Sequence, residues 1–144
     1  MGWFGYSEEE LEDIYNDAIE AYNKGYDLLD NKPIHYYETT LESAAKYFLK
    51  AKELFEKAHN NGKKCYEDIE DCDEMLNCIG RFFRSLGDDY YNNAIDIYNS
   101  TSWDDEVPSG YADNLSEARR CYIRAQELGE STSEDISDCE SMLR

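Results

Sequence analysis

The chain has 144 residues, a length typical of one domain. Its 33 acidic and 14 basic side chains give a net charge of −19, which disfavours DNA, RNA and anionic membranes and favours a basic peptide or cationic surface. No apolar run approaches the roughly 20 residues of a membrane helix, and the start MGWFGYS lacks the features of a signal peptide. We therefore expect one cytoplasmic domain, residues 1–144, with no membrane or direct nucleic-acid partner.

Helical spacing of apolar residues accounts for the first half of the chain. The stretch SEEE, which begins at Ser7, fits a capping box and predicts a helix that ends near Asp30. A second capping box, Thr39 with Glu42, predicts a second helix that ends at Gly62. Each helix carries one apolar stripe, so each is expected to bury one face.

The second half continues with the same helical period. A third helix is predicted from about Tyr66, and the stretch LGDD, which begins at Leu86, can end it and start a fourth, because glycine favours helix ends and aspartate favours helix starts. The fourth helix carries YNNAIDIYN, the fifth is capped by Asn114 with Glu117, and the last is the short stretch SEDISDCESMLR. No segment alternates with period two. The sequence therefore predicts an all-α protein of about six helices.

Three segments occur twice, in the same order. YNDAIEAYN, from Tyr15, and YNNAIDIYN, from Tyr91, are identical at six of nine positions. LESAAKYFLKAKEL pairs with LSEARRCYIRAQEL, and EDIEDCDEML pairs with EDISDCESML at seven identities in ten. Repeated segments in one order indicate the duplication of a three-helix unit. We expect internal repeats at approximately 7–86 and 87–144.

Four helices share one apolar pattern, in which an alanine is followed by an aromatic residue four positions later and a small residue three positions after that. They are Ala18-Tyr22-Gly25, Ala44-Phe48-Ala51, Ala94-Tyr98-Thr101 and Ala118-Tyr122-Ala125. The pattern, with the run Ile79-Gly80-x-x-Phe83 and Gly87-Asp88, resembles the tetratricopeptide-repeat family. The resemblance implies an antiparallel helical array that holds an extended peptide or a partner's helix in a groove. Two related three-helix units are the alternative arrangement.

Asparagine recurs at two positions of the duplicated stretch. Asn16 and Asn23 are seven residues apart and share one helical face, as do Asn92 and Asn99. An amide both donates and accepts hydrogen bonds, so such a row suits the backbone of an extended peptide. Duplication without a binding role, or hydrogen bonds between helices, would explain the same pattern. Trp103, in the longest predicted loop, either covers the core or presents an apolar patch to a partner.

Acidic and basic helices alternate along the chain. Ser7–Asn31 contains nine acidic residues and one lysine, whereas Ala44–Lys64 contains six lysines and two glutamates. Ion pairs between neighbouring helices on a solvated surface would explain this alternation. An acidic groove for a basic partner is the functional interpretation.

Catalysis and metal binding have little support. The two histidines, His35 and His59, belong to no H-E-x-x-H motif, and the five cysteines include no C-x-x-C. The acidic stretch SWDDE lacks the alternating ligands and central glycine of a calcium loop. We therefore expect no enzymatic activity, no cofactor and no metal.

These observations favour a non-enzymatic protein–protein interaction module, an adaptor or a chaperone-like scaffold. Its partner is expected to be a protein or peptide, and the negative charge favours a basic segment. An acidic decoy that imitates nucleic acid and blocks a basic nucleic-acid-binding protein is the alternative, which the charge permits and the lysine-rich helix argues against. The sequence leaves the oligomeric state open.

Overall fold

The computed structural model describes residues 5–30, 38–100 and 109–144. It contains five α-helices, which are α1 (Glu8–Asp30), α2 (Glu38–Asn60), α3 (Tyr66–Ser100), α4 (Ser109–Glu127) and α5 (Ser133–Leu143). Within these ranges there is no β-strand. The all-α prediction is confirmed, and the described residues form five helices rather than six.

The difference in helix number arises at Gly87, where α3 continues without a break. A Cβ atom at this position would lie 2.8 Å from Cε1 of Tyr122, so the glycine permits α4 to approach α3 closely. Asp88 does not cap a new helix but accepts a hydrogen bond from the Tyr122 hydroxyl. The two residues that favour a helix break are therefore used for packing and for a tertiary hydrogen bond.

The chain divides into two compact units, Met1–Ile79 and Gly80–Arg144. The first contains α1, α2 and the start of α3, and the second contains the rest of α3 with α4 and α5. In the first unit α1 packs along α2. One of its buried clusters consists mainly of small residues and includes Ala18, Ala21, Ala51, Phe55, Ala58, Cys65 and Cys72.

Aromatic rings fill the space that the small residues leave in the first unit. Tyr15 contacts Phe55 edge to face with ring centroids 5.4 Å apart, and Tyr22 contacts Phe48 at 5.2 Å. A Cβ atom on Gly25 would lie 3.0 Å from the Phe48 ring. The predicted alternation of small and aromatic residues therefore sets how closely α1 and α2 pack.

The second unit buries two clusters of similar composition. Ala94 of α3 packs with Tyr111 and Leu115 of α4. Tyr122 of α4 packs with Cys139 of α5, and Tyr91 of α3 lies against them. An aromatic residue again lies opposite small side chains at the helix contacts.

The predicted helix starts differ in accuracy. The capping box at Ser7 is confirmed, since the Glu10 amide donates to Ser7 Oγ at 3.1 Å and the Ser7 amide donates to Glu10 Oε1 at 3.3 Å. The start predicted near Thr39 is within one residue of the observed start at Glu38, but Thr39 lies inside α2 and is not its cap. The cap at Asn114 is wrong, because α4 already begins at Ser109; the Asn114 amide instead donates to the Gly110 carbonyl at 2.7 Å.

The turns that end α2 and α4 have the same geometry. The Lys63 amide donates to the Ala58 carbonyl at 3.0 Å, and the Glu130 amide donates to the Ala125 carbonyl at 3.0 Å. The intervening glycines have φ angles of 111° and 110°, a left-handed conformation that glycine adopts readily. Both helices therefore end in a Schellman motif.

Side-chain contacts beside these turns are duplicated as well. Cys65 Sγ donates to the Phe55 carbonyl at 3.1 Å, and 67 positions later Thr132 Oγ1 donates to the Tyr122 carbonyl at 2.7 Å. The same spacing relates the ion pairs Lys52–Asp73, at 2.8 Å, and Arg119–Glu140, at 3.6 Å. The pair α2–α3 in the first unit therefore shares its turn, one buried hydrogen bond and one ion pair with α4–α5 in the second.

This correspondence changes one of the sequence alignments. LESAAKYFLKAKEL and LSEARRCYIRAQEL pair Phe48 with Tyr122, whereas the contacts place Phe55 in the position equivalent to Tyr122. The two alignments differ by seven residues, which is almost two helical turns. Both choices keep the same face buried, so periodicity in the sequence could not separate them.

Replacing Gly87 with alanine tests the close approach. At a solvent-exposed position of a helix, replacing glycine with alanine stabilises the fold by about 1 kcal/mol. Overpacking against the Tyr122 ring, however, costs about 1–3 kcal/mol. We expect Gly87→Ala to lower the urea midpoint, followed by circular dichroism, while the exposed Ser85→Ala leaves it nearly unchanged. In a Tyr122→Leu background the alanine should cost less, and an equal cost in both backgrounds would contradict the packing account.

Replacing Thr132 tests the duplicated buried hydrogen bond. Thr132→Val keeps the shape of the side chain but removes the donor to the Tyr122 carbonyl, and we expect a loss of about 1 kcal/mol in the free energy of unfolding. Thr132→Cys supplies the donor that the first unit uses at Cys65 and should cost less. Equal stability of the valine and cysteine variants, measured by urea unfolding, would count against this role.

Candidate partner-binding site

The four predicted asparagines lie on helix surfaces. Asn16 and Asn23 are exposed on α1, and Asn92 and Asn99 are exposed on α3. Among the described residues we find no hydrogen bond from any of these four side chains. Trp103 lies outside the described residues. The amides are therefore accessible to a partner, and each pair lies on one unit.

A recess opens in the first unit beside the asparagines of α1. Its volume is about 160 Å³, and it is lined by Ile19, Tyr22, Phe55, Asp68 and Asp71. These residues come from α1, α2 and α3, so the packing of three helices creates it. We call these five residues the first-unit recess.

The apolar wall of the first-unit recess is held in place by ring contacts. The Tyr22 ring packs against Phe48, and the Phe55 ring packs against Tyr15. Phe55 is 2% exposed, whereas Tyr22 is half-buried. The wall therefore presents aromatic surface whose orientation is fixed by the core behind it.

The part of the recess that α3 contributes is acidic. Asp68 is half-buried and accepts a hydrogen bond from the Tyr15 hydroxyl at 3.0 Å, and Asp71 is exposed. No basic side chain in the described part of the chain forms an ion pair with either carboxylate. Burial first, and then the hydrogen bond to Asp68, raises the pKa of Tyr15. Burial and the charge of Asp71 raise the pKa of Tyr22 in the same way.

The asparagines of α1 flank this recess. Asn16 precedes Ile19 by three residues and Asn23 follows it by four, so all three side chains share one side of the helix. Tyr26, which is 46% exposed, extends the same stripe by three residues. A segment bound at the recess would therefore meet amide groups on both sides of Ile19.

Sequence reasoning did not find the recess, although the duplication contains a signal for it. Every lining residue has a counterpart of the same chemical type in the second unit, and these counterparts are Ile95, Tyr98, Tyr122, Asp135 and Asp138. The two aspartate counterparts follow from the spacing of 67 positions that relates the α2–α3 and α4–α5 contacts. Carboxylates that recur beside recurring aromatic residues could have identified the site.

The carboxylates of the second unit have a different environment. Arg84 Nη2 lies 3.8 Å from Asp135 Oδ2. Burial first, and then the charge of Asp138, raises the pKa of Tyr91. In the second unit, therefore, the guanidinium of Arg84 lies beside Asp135, one of the two carboxylates.

A second groove in the first unit is a weaker candidate. It lies between α1 and α2, has a volume of about 330 Å³ and is lined by Asp17, Glu20, Ala21, Lys24, Tyr47, Lys50 and Leu54. Lys24 pairs with Glu20 at 3.3 Å within this lining. The charges of this groove partly neutralise each other, so it selects a charged partner less strongly than the first-unit recess.

The described ranges contain neither a metal-ligating cluster nor a membrane-spanning helix. Residues 5–30, 38–100 and 109–144 contain no group of three or more histidine, cysteine, aspartate or glutamate residues arranged to hold a metal ion. None of the described helices combines the length and the apolar character needed to cross a bilayer. All five cysteines are free thiols, and Cys78 is the one that is not fully buried.

Comparison with known proteins gave no relative for this chain. No protein-family model, curated protein or solved structure matches it. The functional argument therefore depends on the geometry of the residues themselves.

The buried thiols predict how stability changes in alkali. Burial raises the pKa of Cys72 from 9.0 to about 12 and that of Cys139 to about 11. Because the folded-state values are raised, the neutral thiols contribute stability that is complete below pH 9 and is lost as the pH rises through 11 and 12. We expect the urea midpoint to fall above pH 9, and to fall less steeply in Cys72→Ala/Cys139→Ala. If the urea midpoint of that variant fell with pH as steeply as that of the wild-type chain, the raised pKa values of the two thiols would be contradicted.

Proposed function

We propose that the protein is a non-enzymatic interaction module that holds a basic segment of a partner protein at the first-unit recess. The observation that carries this proposal is the combination of fixed aromatic walls with the carboxylates of Asp68 and Asp71, which form no ion pair with a described basic side chain. The exposed amides of Asn16 and Asn23 beside the recess supply donors and acceptors for a peptide backbone. The net charge of −19 favours the approach of a cationic segment.

The size of the recess favours a side chain over a small-molecule substrate. Pockets for drug-sized ligands have volumes of about 300–1,000 Å³, whereas the first-unit recess has about 160 Å³. A recess of this size suits one anchoring side chain of a larger partner, which is how a protein interface uses a pocket.

The helix packing supports a tetratricopeptide-like arrangement as part of the proposal. In α1 and α2 the small residues lie opposite aromatic rings, as the sequence pattern of that family implies. Folds of this kind present helix faces to peptides, and the α1 stripe is such a face. The acidic-decoy alternative has less support, because Lys46, Lys50 and Lys57 are all exposed on α2 and interrupt the negative surface.

A peptide-display selection tests the proposed function. Random peptides are selected on the wild-type chain, and we expect enrichment of sequences that contain basic residues. Loss of two amide contacts in Asn16→Ala/Asn23→Ala should weaken the selected peptides about tenfold, which corresponds to about 1.4 kcal/mol. The matched control is Asn77→Ala/Asn93→Ala, which removes two exposed helical asparagines outside the recess.

Two outcomes would contradict the proposal. One is that no peptide binds the wild-type chain with a preference for basic residues. The other is that the Asn16 and Asn23 variant binds the selected peptides as tightly as the control variant does. Helicity of each variant, checked by circular dichroism, ensures that a loss of binding is not a loss of folding.

A further inference from the structure

We infer that the first-unit recess is an arginine site, which takes the guanidinium group of one arginine side chain on the bound segment. This inference rests on the proposed function and narrows it, because it names the cation that the recess recognises. Its basis is a comparison of equivalent carboxylates in the two units. The two acidic residues and the aromatic wall recur, but only one unit supplies its own guanidinium.

In the second unit the carboxylate of Asp135 has Arg84 beside it at 3.8 Å. Asp68 is the equivalent carboxylate of the first unit, and its described partner is the neutral hydroxyl of Tyr15 at 3.0 Å. A phenol hydroxyl satisfies one acceptor site but carries no positive charge. The nearby Lys63 ammonium, 4.7 Å from the centre of the Tyr15 ring, pairs with Glu12 rather than with Asp68. The second unit therefore contains its own cation beside Asp135. In the first unit the equivalent carboxylate, Asp68, is available to a cation from a partner.

The lining of the recess favours guanidinium over ammonium. A guanidinium is planar, stacks on aromatic rings and donates several hydrogen bonds in a fixed geometry. Tyr22 supplies most of the accessible aromatic surface, with the nearly buried Phe55 beside it, and Asp68 and Asp71 supply acceptors in the same recess. An ammonium group is compact and strongly hydrated, so it gains less from the rings and loses more hydration on entry.

The asymmetry between the units predicts one external arginine for each chain. Arg84 occupies the position beside Asp135, so the second unit should not bind a free guanidinium while this side chain is present. Removing Arg84 should open that position. The second unit then becomes an internal control for the chemistry of the first.

A titration of the amide spectrum of the whole, isotope-labelled chain tests the inference. The probes are N-acetyl-arginine-N-methylamide and the corresponding lysine and citrulline compounds. We expect the arginine probe to shift the amides of Ile19, Tyr22 and Asp71 in a saturable way. The lysine probe should bind about tenfold more weakly, and the uncharged citrulline probe should cause no saturable shift.

Two double variants that remove the same charge distinguish binding at the recess from attraction by the net charge. Asp68→Asn/Asp71→Asn should abolish the saturable shifts, since asparagine still accepts from Tyr15 but carries no charge. Asp13→Asn/Asp27→Asn removes the same charge from exposed positions of α1 and should leave the shifts intact. Equal weakening by the two double variants would overturn the inference, because it would show attraction by net charge alone.

The Arg84→Ala variant adds an outcome that a nonspecific interaction would not give. We expect the arginine probe to produce a second set of saturable shifts, at Ile95 and Asp135, only in this variant. Equal binding of the arginine and lysine probes would overturn the arginine assignment while the selected basic peptides, and with them the proposed function, remain. Failure of both the probes and the peptide selection would remove both proposals.

Discussion

Small residues opposite aromatic rings set the distances between the helices, and the other features of the molecule depend on this constraint. Gly25 lies against Phe48 and Gly87 against Tyr122; an added methyl group would collide with the ring at Gly87 and would make an unusually tight ring contact at Gly25. Because the interior is close-packed, such contacts allow little adjustment. The rings in turn position the wall of the first-unit recess, and the contact at Gly87 accompanies a helix that continues through a sequence typical of a break. Core packing and the candidate site therefore share the same residues.

Contacts that recur in the two units supply the comparison on which the functional argument is built. The α2–α3 and α4–α5 pairs share a Schellman turn, a buried side-chain hydrogen bond and an ion pair. Against this common background the environments of Asp68 and Asp135 differ, since a tyrosine hydroxyl accompanies the first and an arginine accompanies the second. Two copies of one arrangement with different neighbours indicate which part is structural and which part is available for a ligand.

The sequence was sufficient for the helical class, the first capping box and the apolar stripes, because these depend on local spacing. It was insufficient at Gly87 and Asn114, where local preferences for a break and a cap were overridden by the Tyr122 ring and by an earlier helix start. It placed the α1 asparagines on one helical face but did not find the recess beside them, since Phe55 and Asp68 come from helices whose relative positions no local pattern encodes. The shift of seven residues in the alignment has the same origin, because two helical turns leave the buried face unchanged.

The central claim is that a basic side chain of the partner enters between the aromatic and acidic walls of the first unit. Isotope-filtered nuclear Overhauser spectra of the chain bound to a selected arginine-containing peptide test it most directly. The account predicts contacts from the arginine δ-methylene protons to the ring protons of both Tyr22 and Phe55. Contacts confined to Tyr47 and Leu54, in the groove between α1 and α2, would contradict it, because the peptide would then be bound at the other surface of the first unit.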